Sequence, residues 1–125
     1  MNPLCKTAAW LGCTLLVAHA WAHGVPMPQH GGLVDDAGLV AVEMVPGKGA
    51  VDLYLTDDDA PVDAHNVKGV LTVTNPDGKQ EASIASVSGN QLRAKGVTVK
   101  PGAKVTTLLT MADGTTKVSA RFKVK

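Results

Sequence analysis

The chain has 125 residues, 12 basic and 11 acidic side chains, and among aromatics two Trp, one Tyr and one Phe. That length suits one domain. Its near-balanced charge offers no electrostatic case for a nucleic-acid or anionic-membrane partner, and so few aromatics cannot build a stacking pocket.

The first segment has the tripartite form of a secretory leader. Lys6 supplies the positive start, an apolar run without formal charge extends from Thr7 to Ala18, and two overlapping A-x-A sites follow, Ala18-His19-Ala20 and Ala20-Trp21-Ala22. The run is shorter than the about 20 apolar residues a membrane span requires. Residues 1–22 are therefore predicted to be a cleaved signal peptide, with cleavage after Ala22 and Ala20 as the alternative. The expected product is periplasmic and keeps no membrane anchor. Leu11-Gly12-Cys13 resembles the tail of a lipobox, but Trp10 is too bulky for the position three before the cysteine, which disfavours lipidation. Cys5, Cys13, Trp10 and Trp21 all leave with such a leader. Lys6 leaves too, so the remainder has 11 basic and 11 acidic side chains. A cysteine-free domain of this size must be stabilised by packing alone.

Residues 23–37 follow as an extended segment rich in His, Met, Pro and Gly. From Val40 onward the pattern has period two, which places alternate side chains inward and outward. Val51, Leu53 and Leu55 alternate with Asp52, Tyr54 and Thr56. Val118, Ala120, Phe122 and Val124 alternate with Ser119, Arg121 and Lys123. Turn signals such as Pro46-Gly47-Lys48-Gly49, Asn75-Pro76-Asp77-Gly78 and Asp113-Gly114 separate the runs. Seven strands are predicted, near 38–45, 50–57, 68–74, 80–87, 90–95, 104–111 and 116–124. Their spacing predicts an all-β, immunoglobulin-like antiparallel β-sandwich over residues 38–125. Residues 57–67 are expected to be an acidic connection between its sheets.

Enzyme templates are missing. Once the leader is gone there is no cysteine nucleophile, and the chain contains no G-x-S-x-G, phosphate-binding glycine loop or H-E-x-x-H. The expectation is a protein that is not an enzyme. The segment His23-Gly-Val-Pro-Met27-Pro-Gln-His30-Gly-Gly reads instead as a metal tail. Cleavage before His23 would let its α-amine and imidazole close a chelate ring, and His30 would add a third nitrogen. Such a set suits Cu(II), while the Met27 thioether suits Cu(I). Pro26 and Pro28 restrict the segment and reduce the entropy lost on wrapping an ion. His65 is a further candidate ligand, with Asp63 as an oxygen ligand or as a carboxylate that orients its ring. Asp57, Asp58 and Asp59 read as a solvated acidic loop, since they lack the ligand spacing of a calcium loop. A passive solvated tail is the plain alternative for both histidines.

A leader ending at a histidine, a His/Met/Pro stretch and a cysteine-free sandwich of about 100 residues resemble the bacterial periplasmic copper-resistance carriers, the CopC-like family. The Thr56-Asp57-Asp58-Asp59-Ala60-Pro61-Val62 stretch looks like a turn of related periplasmic sandwich domains. His30-Gly31-Gly32 is similar to segments of periplasmic heavy-metal efflux components. The resemblance implies Cu(II) binding through the mature N-terminal His, a further His and an Asp. His23 corresponds by position, and His65 and Asp63 by residue type. It also implies carriage or buffering of copper, or of another divalent heavy metal, beside a periplasmic efflux component. A metal-free periplasmic interaction module is the second reading. A histidine-brace oxygenase is a distant third, disfavoured by the scarcity of aromatics.

Overall fold

A computed structural model describes residues 24–125 of the protein. The segment 1–22, predicted to be a signal peptide, and His23 lie outside the described residues. The alternating segments form β-strands, and no helix occurs among the described residues. In chain order the strands are β1 (Leu33–Asp36), β2 (Ala41–Pro46), β3 (Ala50–Asp57), β4 (Ala60–Pro61), β5 (Lys68–Asn75), β6 (Gly78–Ser88), β7 (Gln91–Lys95), β8 (Lys104–Thr110) and β9 (Lys117–Lys123). Every pairing is antiparallel.

The all-β antiparallel expectation agrees with the structure, but its seven strands in two sheets are corrected to nine strands in one sheet. The strand order is β1-β2-β3-β7-β6-β5-β8-β9, with the two-residue β4 on β3. β6 provides the link. Gly78 to Ile84 pair with β5, Ile84 to Ser88 pair with β7, and the register shifts between Ser86 and Ser88. A bulge of this kind bends a strand and lets one sheet curl around a core. The ends of the sheet meet where the Arg121 amide in β9 donates to Asp35 Oδ2 in β1 at 2.8 Å. The result is a nearly closed barrel.

The inward positions are apolar. Met44, Leu53, Leu55, Leu71, Leu92 and Leu109 are fully buried, with Phe122 beside them. Each such side chain stabilises the fold by about 1.5–3 kcal/mol relative to exposure. The extended segment 23–37 is also corrected in part. Its last residues form β1, whose Leu33 to Asp36 pair with Met44 to Ala41 of β2. This short strand pairs along the edge of β2, in which Ala41 and Glu43 on the outward face are buried along with the inward Val42 and Met44.

Candidate functional site

Before β1, residues 24–32 run as a strap towards the outer side of β2 and β3. Glu43 of β2 and Tyr54 of β3 are direct cross-strand partners, so their side chains stand together on one face of the sheet. His30 occupies the place they define. Its ring stacks on Tyr54 with centroids 3.6 Å apart and planes 9° from parallel. Its Nδ1 lies 3.0 Å from Glu43 Oε1.

Glu43 holds the strap by its backbone as well. Its carboxylate accepts the amide of Gln29 at 2.9 Å, that of His30 at 2.8 Å and that of Gly32 at 2.9 Å. A buried carboxylate needs such donors, and these supply them. Burial pushes the Glu43 carboxyl up, but the bonds from the His30 ring and from the Gly32, Gln29 and His30 amides outweigh it and hold the group below the ordinary carboxylate range. Two glycines make the wrap possible. Gly31 adopts φ of +73°. At Gly32 a Cβ would lie 2.3 Å from the Met44 carbonyl oxygen and 2.9 Å from Val45 Cγ2, so only glycine allows this approach.

These bonds fix the chemistry of the imidazole. An ionised carboxylate can only accept, so Nδ1 of His30 carries the proton and donates. The neutral ring then has its lone pair on Nε2, which makes no hydrogen bond among the described residues. The His30 side chain is 39% exposed. A histidine whose Nδ1–H is held by a carboxylate, with Nε2 bare and solvent within reach, has the arrangement of an oriented metal ligand.

The other candidates are placed differently. Met27 is exposed. His65 is exposed in the turn before β5, and its backbone amide donates to Asp63 Oδ1 at 2.9 Å. In this structure the Asp63 carboxylate shapes the turn by bonding the main chain of His65. Among the described residues, no three His, Cys, Asp or Glu side chains gather closely enough to hold a metal ion. His30, His65 and Asp63 are therefore not assembled into one centre by the barrel itself. His23 lies outside the described residues.

A cleft of about 540 Å³ borders the strap. Gly24 and Pro26 line it together with Asp36, Asp57, Asp58 and Asp59. Gln29 Nε2 ties the strap to this rim by donating to the Asp59 carbonyl at 3.1 Å. Residues 24–32 therefore run from the acidic cleft to the Glu43–Tyr54 pair. Sequence reasoning missed Glu43 and Tyr54. The available signal was a single glutamate inside Ala41-Val42-Glu43-Met44-Val45, a run too apolar for a strand with one wet face.

No protein-family model matches the chain, nor does any curated protein or solved structure.

Proposed function

We propose that the protein is an exported metal-binding protein, copper being the foremost ion, that acts as a carrier or buffer in metal homeostasis or resistance. The observation that carries this reading is the Glu43–His30 pair, in which a buried carboxylate fixes the tautomer and leaves Nε2 as a neutral nitrogen donor. His30 is one ligand. His23, with its α-amine freed by leader cleavage, supplies the others, and Met27 offers a thioether in the reduced state. Asp36, Asp57, Asp58 and Asp59 around the cleft give the approaching cation a favourable field. Metal and protons compete for the same nitrogens, so affinity falls as the solution is made more acidic.

Tyr54 gives a direct reporter. It is the single tyrosine of the chain, and its ring touches that of His30. Cu(II) bound at Nε2 quenches its fluorescence in the secreted form. His30→Ala and His23→Ala each lower the affinity seen in that titration. Affinity unchanged in both variants would remove the proposal.

One observation favours a second reading. β6 has β5 beside its first part and β7 beside its last, so each part leaves one backbone edge without a strand partner among the described residues. Such an edge can accept a partner strand from another periplasmic protein. Capture of a partner that persists in chelator favours this metal-free interaction module.

A further inference from the structure

Zero net charge after leader removal conceals a strong segregation. Eight of the 11 acidic residues, Asp35 to Asp63, precede residue 64, whereas ten of the 12 basic residues follow it. Many of these cations share the outer face of β5, β6, β8 and β9. The registers Lys123↔Lys104, Lys104↔Thr74 and Thr74↔Lys79 set three lysines in one row across four strands. The next row reads Arg121, Thr106, Thr72 and Glu81. Lys117, Thr110 and Lys68 form the row at the far end.

Six cations thus stand on this face with Glu81 as the one acidic residue in its rows. Asp35 sits at its margin and is bonded to the Arg121 backbone. Among the described residues, none of the six is in a salt bridge. Lys104 and Lys123 are directly opposite, a like-charge pairing that destabilises a sheet. Lys104, Thr106, Arg121 and Lys123 rim a shallow depression of about 410 Å³. In the middle of the face Val70 and Leu108 are partners, exposed to 43% and 50%. A face held at a cost in stability, cationic at both ends and apolar at its centre, has a binding role to explain it.

We infer that this face docks on an anionic phospholipid surface. The lysines and arginine pair with lipid phosphates, the threonine hydroxyls add hydrogen bonds, and Val70 and Leu108 press between headgroups. Charge complementarity selects a polyanion. The rows hold no aromatic side chain on which bases could stack, which disfavours single-stranded nucleic acid. This face is on different strands from the His30 site, and the inference does not depend on metal binding.

The test is co-sedimentation of the full secreted chain with vesicles of phosphatidylglycerol and phosphatidylcholine, against phosphatidylcholine alone. Binding is expected to the anionic vesicles only and to be released by salt. Lys104→Ala with Lys123→Ala lowers the apparent affinity about thirtyfold, taking the usual contribution of a lysine near an anionic surface. The same pair leaves thermal stability unchanged or raised, because it relieves repulsion, so lost binding cannot be ascribed to unfolding. Lys48→Ala with Lys95→Ala, of equal charge change but off this face, leaves binding intact. No binding to anionic vesicles, an equal loss in the Lys48/Lys95 variant, or tighter binding to duplex DNA than to vesicles would overturn the inference.

Discussion

Replacing Glu43 with Gln tests the hinge of the site while nearly preserving volume. The carboxylate takes four donors from the strap, three amides and the His30 ring, and each oxygen receives at least two. The glutamine amide has one carbonyl oxygen, so its NH₂ must face N–H groups that it cannot accept. At least two charge-assisted bonds are lost, each with a net contribution of about 1.5–3 kcal/mol. Release of the strap to water recovers part of this, giving an expected loss of strap docking of about 2–4 kcal/mol. Amide hydrogen exchange at Gln29, His30 and Gly32 then accelerates by about 30- to 1,000-fold, since 1.4 kcal/mol is a factor of ten. The core strands retain their protection, because Leu53, Leu71 and Leu109 are untouched. Unchanged exchange at those three amides would refute the assignment of Glu43 as the anchor.

Three further outcomes follow from the same geometry. Gly32→Ala drives a Cβ into the Met44 carbonyl; it lifts the strap at a cost of about 1–3 kcal/mol and changes Tyr54 near-ultraviolet dichroism. Acid acts on Glu43 with a definite sign. Its folded pKa is depressed below the ordinary 4.5, so its contribution is complete above that value and disappears as pH falls through the folded pKa. Strap amides should therefore lose protection only below about pH 4.5; loss at neutral pH would contradict this. At the β8–β9 turn, Asp113 accepts the Thr116 hydroxyl and the Thr116 and Thr115 amides, which holds its carboxyl at about 2. Carboxyl NMR titration should find it ionised at pH 3, and an ordinary carboxyl pKa there would contradict the turn.

The strands were legible because most carry one wet face, and strict alternation follows from that. β8 and β9 match their predicted runs to within a residue or so at each end. β1 was not legible. Leu33 and Val34 are too few for a period to appear, and their pairing with Glu43 and Met44 is set by tertiary contact. Closure into a barrel was hidden in β6, whose alternation is the same whether it serves one sheet edge or two. His30 stood out by type and setting, but Glu43 and Tyr54 did not, since a strand sequence cannot tell which outward residues a distant strap will cover. The basic face was open to a simple count by chain half, which total charge obscured.

Nitrogen-15 NMR of the histidine rings tests the proposed role of His30 most directly. The Glu43–His30 geometry predicts a His30 that keeps a proton on Nδ1 and turns Nε2 to solvent, and the Nε2 signal broadens first as Cu(II) is added to the protein. A proton on Nε2, or a His30 ring indifferent to one equivalent of copper, would contradict it.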